Sequence, residues 1–534
     1  MKNKQIKIHA SLMMLVIIAI LFRYWLVSDN HIYFWYDQAR DALVSQQMIF
    51  DKDIKIQGPS ASGTNDTIYH GVLYYYILGP LYVLFNGDPY FVAIAFGTIN
   101  AFGVVLIYYL SKLVFANNRA ALIAAGVLAI SFENSEYSTW LSNPMMGLIP
   151  VLIFFISVWK VFYEETDTRS VFPVVLMGIS LGVIEQSAFY SVYFFGVILL
   201  GIIYASLRRK KSIFTILNLK ELAAFIFSFG FVISSMIVNQ LLLYKAGIFN
   251  SSSLGEAFGS SSVLLNPRLL GDLFSTYFIK IGETLAPTMT KVGLILSLMI
   301  IYALCKKASK PQRWFLLSWI FAPLWLFVFH FRSSPHMLLG IEYVLIISLA
   351  FLIEYLFQNK NKIMTIVGAI VLLLYGYQQF SAVNHIRFQQ TSIFTFQKGV
   401  VLKNSLSLID RSYQLSEGEP FSISIWGSPY EYYISWAYLY DWHGKKAYGY
   451  VPSYYGTSQV GKYGPELLEQ VDSPESRHFL IEEPEIVLLG NIKENFLGKQ
   501  NSHTVTKTTD MTNLEGFEMH GEYRLQPRVK KTVD

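Results

Sequence analysis

Apolar residues in this chain gather into long runs separated by short polar turns. The runs lie near 9–27, 90–111, 119–132, 144–162, 171–184, 188–206, 221–243, 289–305, 314–330, 336–357 and 363–379. Most approach the roughly 20 residues an α-helix needs to cross a bilayer. The pattern predicts a mainly α, polytopic membrane helical bundle of about eleven spans. A further run at 69–86 is crowded with tyrosine and interrupted at Gly79-Pro80. Beyond residue 379 the pattern changes. Phe421–Trp426, Lys446–Val451 and His478–Ile481 alternate like strands, and helices are expected at about 392–412 and 430–440. A small C-terminal α/β domain over 380–534 thus follows a membrane core over 1–379.

Charge orients the bundle. With 69–86 lying flat as an interfacial helix, anchored by Tyr69, Tyr74, Tyr75, Tyr76 and Tyr82, roughly eighteen basic residues face the cytoplasm against roughly eight outside. Were that run to cross, the later basic loops would all move outside. The flat placement puts the N-terminus in the cytoplasm. It puts two long loops (28–89 and 244–288) and the C-terminal domain on the extracytoplasmic side of a multi-pass cell-membrane protein. The N-terminal run, flanked by Lys2, Lys4 and Lys7, reads as an uncleaved anchor, because no small-residue cleavage site precedes Phe22-Arg23-Tyr24-Trp25. Composition agrees: 53% of residues are hydrophobic and 15% charged, against about 25% charged in ordinary soluble domains. The net charge of +5 carries no basic block suited to nucleic acid. Cys305 is the only cysteine, so no disulfide framework forms within the chain.

Candidate chemistry collects at the outer ends of the spans. Asp37 and Asp41 stand four apart on an expected helix, with Arg40 between them. Like charges at that spacing repel unless a cation compensates. Asp37 either caps the helix or serves as a general base at a membrane-level cleft. His70 opens the aromatic run and either donates to a phosphate or is solvated. His330-Phe-Arg-Ser-Ser-Pro-His336 offers Arg332 and His336 as a phosphate clamp, with snorkelling to headgroups as the alternative. Glu342, inside the tenth span, calls for a partner such as Arg332 or His336. Glu133, Glu136 and Asn143 could line the same cleft as Asp37. Oxygens of Asp37, Glu133 and Glu136 are candidate ligands for a divalent metal such as Mg²⁺, Mn²⁺ or Zn²⁺. Asn143-Pro144 equally reads as a helix start. Asp272, Lys280 and Glu283 are dispersed along 244–288. Trp426, Tyr430, Tyr432, Tyr433, Trp436, Tyr438, Tyr440 and Trp442 form either a packed core or a sugar-stacking surface.

The order of these parts resembles the GT-C superfamily of integral-membrane glycosyltransferases, in the branch of the protein O-mannosyltransferases and the aminoarabinose lipid A transferase (glycosyltransferase family 39-like). A first span is followed by Tyr36-Asp37-Gln-Ala-Arg-Asp41. Next come the aromatic segment Tyr69-His70-Gly-Val-Leu-Tyr-Tyr-Tyr76, two spans, and the turn Trp140-Leu-Ser-Asn143-Pro144. The likeness runs from about residue 9 to 379. It departs from the family where the proline pair is missing and where Asn143 stands in place of Asp. The resemblance implies that Asp37 is the catalytic acid–base group and that His70 faces the lipid phosphate. It also implies a polyprenyl-phosphate sugar donor. The residues are compatible with attack that inverts the sugar carbon, with Asp41, Arg40, Arg332, His336, Asn143 and Glu136 as candidates for substrate binding. The acceptor is a glycan, a lipid or a protein. The competing readings are a lipid-linked sugar flippase or transporter, another lipid-donor enzyme such as an O-antigen ligase, and a membrane-anchored binding module. Deleting 380–534 separates the last of these from an enzyme whose core keeps its Asp37 chemistry without that domain.

Overall fold

The computed structural model describes residues 2–60, 67–164, 170–188, 191–248, 267–324, 338–395, 397–429, 432–484, 503–505 and 518–530. Helix occupies each of the eleven expected apolar segments. The first half holds α1 (Lys2–Val27), α2 (Tyr36–Phe50), α3 (Leu73–Leu84), α4 (Pro89–Ala101), α5 (Gly103–Phe115), α6 (Asn118–Ala129), α7 (Phe132–Thr139), α8 (Leu148–Val158), α9 (Phe172–Ser187), α10 (Ser191–Arg209) and α11 (Leu219–Lys245). The second half of the bundle holds α12 (Pro267–Leu285), α13 (Thr290–Lys307), α14 (Lys310–Phe321), α15 (Ile341–Gln358) and α16 (Lys362–Gln389).

Six described stretches are long and apolar enough to cross a membrane, or seven if one bent pair counts as a span. That pair is Phe274–Leu285 with Thr290–Lys307, folded by 92°. Gly282 and Gly293 meet inside the bend; a Cβ on Gly293 would lie 1.9 Å from the Gly282 carbonyl oxygen. The count falls short of eleven partly because runs divide. α6 has 12 residues, about 18 Å at 1.5 Å per residue. The chain then breaks at Ser131, whose Oγ accepts from Asn134 N–H at 3.3 Å and starts α7.

The aromatic segment differs from the expected interfacial anchor. α3 continues through Gly79-Pro80 without a break. Tyr74, Tyr75 and Tyr82 are buried inside the protein; only Tyr76 is well exposed, donating to the Lys55 carbonyl at 2.9 Å. The burial follows from close backbone approach: a Cβ on Gly79 would lie 2.5 Å from the Ser45 carbonyl oxygen of α2.

The C-terminal domain is α/β. Its helices are α17 (Leu402–Ser416) and α18 (Ile434–Leu439), and its strands are β1 (Phe421–Trp426), β2 (Ser453–Tyr454), β3 (Arg477–Glu482), β4 (His503–Val505), β5 (Glu518–His520) and β6 (Tyr523–Lys530). The sheet order is β2-β1-β3-β6-β4, with β5 on β6. β1 is buried along its whole length and pairs in parallel with both β2 and β3. Three expectations shift. Lys446–Val451 is no strand, because Lys445–Tyr448 closes a helix and Gly449 ends it at a φ of 87°. The helix expected from 392 starts at Leu402, after a Ser392–Thr395 turn. The helix expected at 430–440 begins at Ile434.

Two cores result. One fills the bundle. The other joins Phe22, Leu26 and Val27 of α1 and Leu43 of α2 to Ile423, Tyr438 and Phe479 of the C-terminal domain. Backbone bonds stitch the same seam: Leu402 N–H donates to Ile32 O at 2.9 Å and Lys403 N–H to Asn30 O at 3.1 Å. Arg387 Nη1 caps α1 by donating to the carbonyls of Trp25, Leu26 and Ser28 at 2.7, 3.1 and 3.0 Å. The domain is therefore no separable appendage. A chain truncated after residue 379 is expected to be cleaved faster within residues 28–60 than the full chain in limited proteolysis, since α2 loses the core it shares with that domain.

Candidate functional site

Eight residues separate α2, which carries the acidic pair, from the end of α1. Trp35 is extended, and its backbone N–H donates to Gln38 Oε1 at 3.1 Å, which starts the helix. Asp37 falls in the first turn, where the helix dipole favours negative charge. Its side chain remains 53% exposed. One turn on, Asp41 is fully buried.

Arg40 lies between them and resolves the repulsion. Its Nη1 sits 2.8 Å from Asp37 Oδ1, and its Nη2 and Nε both sit 2.8 Å from Asp41 Oδ1. The guanidinium is buried and lies 5.6 Å from the centroid of the Tyr36 ring. Tyr75 of α3 donates its hydroxyl to Asp41 Oδ1 at 3.1 Å. Burial opposes the charge on Arg40, but Asp41 and Asp37 outweigh it and hold its proton more tightly than usual. Burial lifts the Asp41 carboxyl to about 6 against the pull of Arg40. Asp37 is thus the solvent-facing member of a fixed trio, and Asp41 and Arg40 stand behind it.

The other expected residues take different partners. His70 is half-buried on the turn before α3, its backbone N–H donating to Pro59 O at 2.8 Å. The adjoining Gly71 N–H donates to Gln186 O at 2.9 Å, which ties the aromatic segment to α9. Asn143 does not join Asp37. It is buried, and its amide donates to the Ser187 carbonyl. Glu133 pairs with Lys280 Nζ at 2.8 Å and accepts from Thr284 Oγ1 at 2.7 Å, holding α12 against α7. Glu136 accepts from Ser392 Oγ at 2.7 Å and Ile393 N–H at 3.3 Å, beside a cavity of about 10 Å³ lined with His31, Tyr33 and Thr139. Burial lifts its carboxyl to about 7 despite those two bonds. Asp37, Glu133 and Glu136 are each engaged elsewhere, so they do not assemble into the expected metal site. Among the described residues no three His, Cys, Asp or Glu come together as ligands. His330, Arg332 and His336 lie outside the described residues.

Glu342 accepts from Asn134 Nδ2 at 2.5 Å, and Arg23 of α1 donates to Asn134 Oδ1 at 2.6 Å and Ser138 Oγ at 3.0 Å. This network was missed, although an arginine inside an apolar run is by itself a signal that a partner waits in the bundle. Of the aromatic group, Trp426, Tyr433, Trp436, Tyr438 and Tyr440 form core. Tyr432 stays exposed under Lys462, whose Nζ lies 4.7 Å from its centroid. Tyr430 lies outside the described residues. An apolar cavity of about 260 Å³ opens among α12, α13, α14 and α15, lined by Phe278, Ile281, Ile300, Ile320 and Leu345.

Two outcomes follow. Arg40→Met leaves Asp41 buried without its cation, a loss expected to cost about 3–5 kcal/mol and to appear as a lower Tm in detergent. The folded protein also holds the protons of Asp41 and Glu136 to a higher pH than the unfolded chain does. The stability these two groups contribute therefore falls as pH rises from about 4 to about 7. Thermal melts across that window should show a shallower decline for Glu136→Gln than for wild type.

No protein-family model and no curated protein matches the sequence. Solved structures do match. ArnT from Cupriavidus metallidurans bound to undecaprenyl phosphate superposes with a TM-score of 0.55 at 11% identity, over 96% of this chain and 97% of that one. The apo state of ArnT gives 0.52 at the same identity and coverage. AglB, an archaeal oligosaccharyltransferase from Archaeoglobus fulgidus in complex with an inhibitory peptide and a dolichol-phosphate, gives 0.45 at 12% identity, over 83% of this chain and 64% of that one. The likeness to ArnT runs almost end to end, and what it establishes is the fold: a helical membrane bundle followed by a small C-terminal α/β domain.

Proposed function

We propose that the chain is an integral-membrane glycosyltransferase that moves a sugar from a polyprenyl-phosphate-linked donor to an acceptor at the extracytoplasmic face of the cell membrane. The observation that carries this reading is the half-exposed Asp37 carboxylate, held from behind by Arg40 just past the end of α1. The shared fold supports it, since ArnT was solved with undecaprenyl phosphate. Asp37 takes the proton from an acceptor hydroxyl, whose oxygen attacks the anomeric carbon as the bond to the lipid phosphate breaks, with inversion. Arg40 is already shared by two carboxylates, so its part is to orient Asp37. The phosphate gains charge as it leaves, and His70, Arg332 and His336 are assigned to stabilise it. The apolar cavity beside Phe278 and Ile300 is assigned to the isoprenoid chain. The sugar and the acceptor class are left to experiment.

The purified chain, incubated with a panel of polyprenyl-phosphate sugars, is expected to release free polyprenyl phosphate from at least one. Asp37→Asn should slow that release by about 100-fold or more. Equal release by both proteins removes Asp37 from the chemistry, and no release from any donor favours a transporter.

A further inference from the structure

The end of the bundle away from Asp37 carries a cavity that the proposed reaction does not use. Contacts between helix ends fix its level. Gln312, in the first turn of α14, donates Nε2 to the Val114 carbonyl in the last turn of α5 at 2.9 Å. Asn117, which starts α6, donates to Glu354 in the last turn of α15 at 3.0 Å. From there α6 leads to α7, where Ser138 meets Arg23. At the far end lysines lie over tyrosine rings: Lys112 at 6.0 Å from Tyr108, Lys160 at 5.5 Å from Tyr109 and Lys307 at 5.4 Å from Tyr355. Tyrosine and snorkelling lysine gather where a membrane protein meets lipid headgroups. The cavity lies at this level, between the last turn of α10 and the first turn of α14. It measures about 180 Å³ and is lined by Tyr204, Leu207, Arg208, Lys310, Pro311 and Trp314. Tyr204 is buried, stacked on Tyr163 at 4.7 Å and 5.8 Å from Trp314, so one wall is rigid and apolar. Arg208 and Lys310 bring two positive charges, and none of the lining residues is acidic. Arg208 is fixed by donating Nη1 to the Tyr163 carbonyl at 2.9 Å, while Lys310 is exposed. Just past Lys210 and Lys211, Ile213 and Phe214 are exposed as well, which suits contact with a lipid surface.

We infer that this cavity binds the headgroup of an anionic phospholipid. The phosphate lies between Arg208 and Lys310, and the glycerol and first acyl carbons run along Trp314 and Leu207. Two like charges on one cavity repel until an anion lies between them. The apolar wall selects a lipid over a free phosphate, which has nothing to place against Trp314. Basic pockets between membrane helices on the cytoplasmic side recognise anionic headgroups in this way, and the charge pattern of the loops assigns this end of the bundle to the cytoplasm. The bound lipid then bridges α10 and α14. This site is independent of Asp37 and of the reaction proposed for it.

The test titrates the full chain in detergent with phosphatidylglycerol and follows lipid retention by native mass spectrometry. One phosphatidylglycerol is expected to be held more tightly than phosphatidylcholine, and an excess of inorganic phosphate should not displace it. Lys310→Gln should weaken that binding by about fivefold. Leu207→Trp, which fills the cavity and keeps both charges, should abolish the preference for the anionic lipid. Lys362→Gln, a change to an exposed lysine at the same end of the bundle but outside the cavity, should leave it intact. Lys310 and Leu207 are both exposed, so neither change leaves a buried group unpaired; should Leu207→Trp melt below wild type, Lys310→Gln decides alone. Equal retention of both lipids overturns the inference, as does no retention of either. A loss in Lys362→Gln as large as in Lys310→Gln shows diffuse surface charge and overturns it too. Displacement by inorganic phosphate overturns the lipid assignment in favour of a soluble phosphate compound.

Discussion

Everything at the Val27 end of α1 depends on Arg40 lying between two carboxylates. Asp37 and Asp41 share a helix face four residues apart, and alone they would repel. The guanidinium fork gives each a donor and fixes the distance between them. Because Asp41 is buried and Asp37 is not, the fork converts a symmetrical acidic pair into an oriented one: a rigid base behind, a reachable carboxylate in front. A lysine, a point charge on a flexible stem, could not hold both at once.

That trio needs a wall on each side. α3 supplies one, since Gly79 lets its backbone touch Ser45 and brings Tyr75 onto Asp41. The C-terminal domain supplies the other through its shared core with α1 and α2 and through the contact of Gln46 with Tyr438 at 3.0 Å. The site is therefore built from a helix end, a short aromatic helix and a domain far along the chain. A membrane bundle gains stability by burying helix against helix, but a polar loop between spans has little to pack on. A folded domain docked onto that loop solves the problem.

Polar pairs inside the bundle do a related job. Arg23, Asn134 and Glu342 tie α1, α7 and α15 together, while Glu133 and Lys280 tie α7 to α12. These bonds sit where water is scarce and stray polar groups are costly, so they fix how the helices that carry the two long loops are set against one another.

By itself the sequence determined the class of the protein. Runs of apolar residues can be satisfied only in a bilayer or a large core, and alternation after residue 379 marks a mixed domain. It also singled out Asp37, Arg40 and Asp41, because four-residue spacing on a helix is local geometry. Tertiary structure decided what each neighbour does. Tyr74 and Tyr82 look like interfacial anchors in sequence and are core in the fold. Asn143 and Glu136 look like companions of Asp37, yet bond to Ser187 and Ser392. Local spacing fixes which side chains share a face of one helix. Which residues meet across hundreds of positions depends on how helices and a sheet close upon each other, and no periodicity in the chain encodes that.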